Sequence, residues 1–295
     1  MVAKYGDLFG LTDSGENEWW MEILQSIEIR LIETQRLYKI GESESEPYQR
    51  DPRKQRPMRP VVNEFSEELV KIIQQKLAES AALSQSLDRT FPARLVSQIG
   101  NANSSQEELR KKLGELETER SRLKNVGLLE KEEDVAFLPL GEIAGATKDV
   151  LSVYVEDVEK KLSIFNDIAD KIELFIEIIN HRFRYKKISI SKEKGLTFTT
   201  STGEPLSLAA LSSGEQHEVV LLYQLLFKVK PDSLILIDEP ELSLHVAWQK
   251  QFLRDLEKIT KLSSFDVLIA THSPQIIHDR WDLTRELEGP EINEK

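Results

Sequence analysis

The spacing of hydrophobic positions changes character several times along the chain. Trp19, Trp20, Ile23 and Leu24 form a helix-like lead, and the β-branched alternation of Ile27-Glu28-Ile29-Arg30-Leu31-Ile32 then predicts a strand. From Gly41 to Pro60 the residues are polar and interrupted by Pro47, Pro52, Pro57 and Pro60, which predicts a loop or linker. Helical spacing dominates from there to about residue 182. One segment carries Phe65, Leu69, Ile72, Ile73 and Leu77. A second opens at a cap on Ser104 or Ser105, with Glu107 and Glu108 in its first turn and a seam of Leu109, Leu113, Leu116 and Leu123. The longest run extends from about Thr147 to Asn180, through Val155, Val158, Leu162, Phe165, Ile168, Ile172, Phe175 and Ile179. An ordinary helical bundle and a short antiparallel coiled coil both fit, and the runs are too short for a long arm.

After residue 185 the period falls to two. Ile188-Ser189-Ile190-Ser191 and Leu196-Thr197-Phe198-Thr199 flank Lys194-Gly195, a hairpin. A serine-glycine turn at Ser212-Ser213-Gly214 then opens a helix through Val219, Val220, Leu222, Leu225 and Leu226. An apolar strand at 234–238, a helix from about His245 to Lys261 and a second apolar strand, Val267 to Ala270, complete the order. Strand, helix, strand predicts a parallel α/β core with its chemistry at the C-terminal strand ends.

Composition narrows the classes. The chain has 295 residues, 40% hydrophobic and 31% charged, room for one large or two smaller globular domains. No apolar run reaches the ~18 residues of a membrane span, and the N-terminus lacks the pattern of a signal peptide, which predicts a cytoplasmic protein without membrane contact. Cysteine is absent, so disulfides, thiolate metal sites and cysteine nucleophiles are excluded. A net charge of −12 argues against a surface that grips nucleic acid over its whole extent. Two basic clusters remain as local patches or solvated charge: Arg50, Arg53, Lys54, Arg56 and Arg59, and Arg182, Arg184, Lys186 and Lys187.

The apolar strand Leu234-Ile235-Leu236-Ile237 delivers Asp238 and Glu239 at its tip. In phosphoryl transfer the first of such a pair can hold Mg²⁺ and the second can polarise the attacking water; the alternative is capping after a strand. His272 ends the neighbouring strand, where an imidazole could reach a γ-phosphate or that water. Ser212, Ser213 and Gly214 supply hydroxyls, an approachable backbone and unsatisfied N–H groups at a helix N-terminus, a combination that binds phosphate oxygens.

The order Leu211-Ser212-Ser213-Gly214-Glu215-Gln216, then Leu234 to Glu241, then Ser243-Leu244-His245, then Ala270-Thr271-His272-Ser273-Pro274 resembles an ABC-type ATPase head of the SMC, RecF and OLD-nuclease branch. The likeness spans roughly residues 186 to 288, and faintly 20 to 40. It implies ATP and Mg²⁺ as cofactors and assigns roles residue by residue. Ser212 to Gln216 become the signature motif, with Ser213 and Gly214 touching the γ-phosphate of a nucleotide held by the opposite subunit. Asp238 becomes the metal carboxylate of Walker B, Glu239 the catalytic base, Ser243 to His245 the D-loop at a dimer interface, and His272 the switch histidine. Gln35, just after a strand and before the helical insertion, matches a Q-loop glutamine that contacts Mg²⁺ and water. Residues 1–40 then read as the end of an N-terminal ATPase lobe, 41–62 as linker, 63–182 as helical insertion and 183–295 as the C-terminal lobe. Within the insertion, Ser84 to Pro92 resembles a segment of bacterial defence ATPases, the Septu type included.

One departure from the family is large. No Gly-x-x-x-x-Gly-Lys-Ser/Thr occurs, and Gly141 to Lys148 has the wrong spacing and the wrong setting. The resemblance therefore implies a Walker A lobe supplied upstream or by a partner chain, in a homodimer or hetero-oligomer formed through the signature and D-loop face. DNA and an effector nuclease are further expected partners, in DNA repair or antiviral defence. The competing expectation is a non-catalytic interaction module built on the same fold.

Overall fold

The computed structural model describes residues 28–32, 38–40, 58–98, 105–130, 145–242 and 244–286. The chain divides into two compact units, one made of residues 1–35 and 224–295, the other of residues 36–223.

The first unit is built on a three-stranded parallel sheet in the order β1 (Glu28–Ile32), β7 (Ser233–Asp238), β8 (Asp266–Ala270). Continuous apolar runs become strands here because a parallel sheet can bury both faces. Only one face is buried among the described residues. Ile32, Ser233, Ile235 and Ile237 lie in the core, whereas Ile29, Leu31 and Leu268 are 48–62% exposed. The register aligns Leu31 with Leu236 and Leu236 with Leu268, so the exposed residues form one apolar face. Asp238 stands at the end of the strand on that same face. Helix α6 (Val246–Ser263) connects β7 to β8 and buries Phe252, Leu256 and Ile259 along one stripe. The short helix α7 (Pro274–Ile277) follows β8.

The second unit joins helices to an antiparallel sheet. Strands β2 (Tyr38–Ile40) and β3 (Met58–Pro60) pair antiparallel, so the polar stretch expected as a linker is closed at its base by a small ribbon. Helix α1 (Val61–Gln98) then runs for 38 residues, about 57 Å at the usual rise. It is far longer than the apolar stripe Phe65 to Leu77 implies, which corrects the expectation of short runs. Between Glu79 and Ser86 the sequence is small and polar, so periodicity fades while backbone hydrogen bonding continues.

Helix α2 (Gln106–Asn125) begins at Ser105. Its hydroxyl accepts from the Glu108 N–H at 3.0 Å, and the Glu108 carboxylate accepts from the Ser105 N–H at 2.7 Å. That reciprocal box settles the cap on Ser105. The apolar run from Thr147 to Asn180 forms two helices, α3 (Ala146–Ser163) and α4 (Asn166–Arg182), interrupted at Ile164 and Phe165. The apolar stripe crosses the break with Leu162, Phe165 and Ile168 all buried, which is why spacing alone hides it.

Helices α1 and α3 run antiparallel, with Asp88 facing Lys161, Arg94 gripping Asp157 and Gln98 meeting Glu156. Strands β4 (Lys186–Ser191), β5 (Gly195–Thr200) and β6 (Pro205–Leu206) form the antiparallel sheet. Its turn is stapled to α1 by buried Ser66, whose hydroxyl donates to the Lys194 carbonyl at 3.0 Å and accepts from the Leu196 N–H at 2.9 Å. Helix α5 (Ser213–Tyr223) completes the unit, with Tyr223 stacked on Phe65 at 4.5 Å between ring centroids.

Candidate functional site

In the first unit the site forms where β7 and β8 end side by side. Asp238 pairs in register with Ala270, so the residues that follow each strand emerge next to one another. The Glu239 N–H donates to the Ala270 carbonyl at 2.9 Å, extending the ladder by one bond. Glu239 then takes a φ of 43°, in the left-handed region that a non-glycine residue enters at a cost. At the tip Asp238 is exposed and Glu239 half-exposed. His272 presents its imidazole to solvent, 92% exposed, with Nε2 4.0 Å from the Glu239 carboxylate. This gap exceeds a hydrogen bond and suits a bridging water or phosphate oxygen.

The loops behind these tips are tied together. The Glu241 carboxylate accepts from the Thr271 hydroxyl at 2.8 Å and from the His272 N–H at 3.0 Å. Buried Gln249 donates to the carbonyls of Glu241 and Leu244, at 3.2 and 3.3 Å, and accepts from the Ser273 hydroxyl at 3.2 Å. His245 is the N-cap of α6, its Nδ1 accepting from the Ala247 N–H at 3.2 Å, with its ring beside Trp248. Leu242 and Val246, on either side of this turn, are exposed apolar residues. Ser243 lies outside the described residues, as does Gln35.

In the second unit the serine-glycine turn is a capping box. Ser212 accepts from the Glu215 N–H at 3.3 Å, and Glu215 accepts from the Ser212 N–H at 2.7 Å. Lys186 of β4 donates to the same Glu215 oxygen at 2.6 Å. Burial alone would push the Glu215 carboxyl up, but Lys186 and Ser212 outweigh it, and its pKa lies below the ordinary range. Gln216 is buried and donates to the Leu211 carbonyl at 2.9 Å. Glu215 and Gln216 thus hold the turn, while Ser213 is exposed and Gly214 half-buried. The first-turn N–H groups of these two residues have no intrahelical acceptor. Among the described residues a Cβ on Gly214 would meet no neighbouring atom within 4 Å, which leaves room for an approaching ligand.

Two members of the second basic cluster point inward instead of offering a patch. Arg182 forms a buried ion pair with Glu218, and Lys186 binds Glu215. Arg184 and Lys187 remain exposed. The side chains of the first cluster, at 50–59, lie outside the described residues.

Sequence reasoning missed Glu241, Gln249 and Lys186 as members of these arrangements. Glu241 lies within the Asp-Glu-Pro-Glu run, three residues beyond the metal-type carboxylate, and its spacing was the available signal. Lys186 was marked only as a member of a basic cluster, and nothing near Gln249 marks it.

The described part of the site is thus an acidic strand tip beside a histidine on a parallel sheet. The family described as "AAA domain, putative AbiEii toxin, Type IV TA system" matches residues 28–278, and the chain belongs to this AAA/ABC-type ATPase family. A curated relative, the "Retron Ec83 probable ATPase" of Escherichia coli, is 36% identical over 84 residues, covering 25% of this chain and 15% of its own. The solved Smc head domain with an extended coiled coil, from Pyrococcus furiosus and bound to the C-terminal domain of ScpA, is 19% identical, covers 74% of this chain and 51% of its own, and aligns with a TM-score of 0.30. The chain thus spans only a small part of the curated relative and about half of the solved one.

Membership of this family implies nucleotide and divalent-metal use in general. The side chains fit such a group. Among the described residues no cluster of three or more His, Cys, Asp or Glu could hold a metal ion. A single strand-tip carboxylate is nevertheless the share a protein contributes when Mg²⁺ arrives on phosphates and keeps several waters. No helix among the described residues is long and apolar enough to cross a membrane.

Proposed function

We propose that the chain is the sensing and hydrolysing part of an ATP-driven head, working on nucleotide together with a Walker A loop from upstream sequence or a partner chain. The observation that carries this reading is the convergence of Asp238, Glu239 and His272 on adjoining strand tips, with Glu239 and His272 4.0 Å apart.

Each residue has a task in this reading. Asp238 would hold a magnesium ion, with Gln35, which lies outside the described residues, as the second expected ligand. Bound Mg²⁺ neutralises charge on the phosphates. Glu239 accepts a proton from the attacking water, its carboxylate 4.0 Å from the His272 imidazole. His272 donates to a γ-phosphate oxygen or to that water. The N–H groups of Ser213 and Gly214 bind phosphate of a nucleotide held by another subunit, helped by the dipole of α5. Glu215 and Gln216 serve that contact by holding the turn. Ser243 and His245 lie at the subunit contact of a homodimer or hetero-oligomer, where exposed Leu242 and Val246 would be covered. The bare apolar sheet face of Ile29, Leu31 and Leu268 supports an added lobe, because packing against it removes that surface from water.

The pathway in this reading is DNA repair or antiviral defence, with DNA or an effector nuclease as further partners; the family's description as a putative AbiEii toxin of a type IV TA system and the likeness to a retron ATPase support the defence side. The test is ATP hydrolysis by the chain combined with the product of the adjoining upstream sequence. Activity should appear only in the mixture, and Glu239→Gln should lower kcat by about 10²-fold or more. Full activity in Glu239→Gln would end the assignment of the base. No activity in the mixture would favour a non-catalytic interaction module.

A further inference from the structure

We propose that Glu241 is the positioning residue that sets where His272 stands, coupling the tip of β8 to the tip of β7. The proposal rests on the hydrolytic reading above and adds a residue to which that reading gives no role. The His272 side chain is 92% exposed and approaches only the Glu239 carboxylate, at 4.0 Å, among the ion pairs of the described residues. Its imidazole is therefore placed mainly by its backbone. That backbone is held by one carboxylate, with one Glu241 oxygen taking the His272 N–H at 3.0 Å and the other taking the Thr271 hydroxyl at 2.8 Å.

Glu241 is itself firmly seated. It lies in the single turn Pro240–Leu242, which is closed by the Leu242 N–H donating to the Glu239 carbonyl at 3.1 Å. Gln249 fastens both sides, holding the Glu241 carbonyl and the Ser273 hydroxyl. The Thr271 hydroxyl also accepts from the Ser273 N–H at 3.0 Å, so the loop after β8 turns around the clamp. A charged acceptor with two donors is the stronger kind of hydrogen bond. A shift of the turn that carries Glu239 is thereby transmitted to His272, and the two reacting side chains move as one body.

Glu241→Gln is nearly isosteric, but its amide nitrogen cannot accept, so one of the two donors loses its partner. Amide hydrogen exchange on the full chain reads the clamp without any nucleotide. The His272 and Ser273 amides should exchange at least about fivefold faster in Glu241→Gln. Thr271→Val, which removes the other donor, should show the same change to a smaller degree. In the hydrolysing mixture, Glu241→Gln should lower kcat by about 10- to 100-fold while KM for ATP stays within about twofold.

A double-mutant cycle separates positioning from general stability. If Glu241 acts through His272, adding Glu241→Gln to His272→Ala should cost little more than His272→Ala alone. Unchanged exchange, or losses that simply add, would overturn the proposal. Faster exchange with a wild-type mixture that hydrolyses no ATP would remove the hydrolytic reading and leave the clamp a feature of the loop.

Discussion

Glu218→Ala should be among the most damaging single changes in the second unit. Arg182, at the C-terminal end of α4, and Glu218, in α5, form an ion pair whose side chains are 2% and 0% exposed. Removing the carboxylate leaves a guanidinium inside the protein without its main counter-charge, and breaking such a pair costs about 3–5 kcal/mol. In a unit of this size each kcal/mol lowers Tm by roughly 2–4 °C, so the transition should fall by about 6–20 °C. Calorimetry with far-ultraviolet circular dichroism would measure it. The pair's own worth is a different quantity. Desolvation of both ions offsets much of their attraction, so Arg182→Met with Glu218→Leu should recover most of the loss and reach or exceed wild-type stability. A loss below about 1 kcal/mol for Glu218→Ala, or a double variant no better than the single one, would refute this reasoning.

Gly195 has a φ of 69°, and a Cβ there would fall 2.2 Å from the Ser66 carbonyl oxygen, so Gly195→Ala should cost about 2–5 kcal/mol, read by urea denaturation. The lowered Glu215 pKa means that this carboxylate stabilises the fold above its unfolded-state pKa and loses that contribution as pH falls through the lower folded value. Glu215→Gln should therefore flatten the acid limb of a stability–pH profile below about pH 5, and an unchanged limb would contradict the Lys186 contact. A Cβ at Gly214 meets no other atom of the described residues within 4 Å, so in Gly214→Ala Tm should hold while ATP hydrolysis in the reconstituted mixture falls. Equal loss of both would place Gly214 in the fold instead of at a phosphate.

The strands and their tips were legible because a parallel sheet demands apolar runs and because chemistry gathers where such strands end. Asp238, Glu239 and His272 follow directly from that rule, and the register of Asp238 with Ala270 places them together. Helix lengths were legible only where an apolar stripe begins or stops. Helix α1 outlasts its stripe because hydrogen bonding propagates a helix through small polar residues, and the break at Ile164–Phe165 hides because the stripe does not stop there.

Charge partners are a different matter, since a lysine in sequence carries no mark of what it meets. Lys186 and Glu215 are 29 residues apart, as are no two members of either expected basic patch, yet their contact holds the turn that presents Ser213 and Gly214. Arg182 and Glu218, 36 residues apart, fasten the next turn of the same helix to α4. The acidic members of both pairs lie on α5, three positions apart, and so on one face. The residues that resemble a nucleotide-binding motif are therefore of two physical kinds. Ser213, exposed, and Gly214, half-buried, can meet a ligand, while Glu215 and Gln216 hold the turn and decide whether that surface exists. Substituting Glu215 would depress hydrolysis by loosening the turn, without Glu215 itself touching nucleotide.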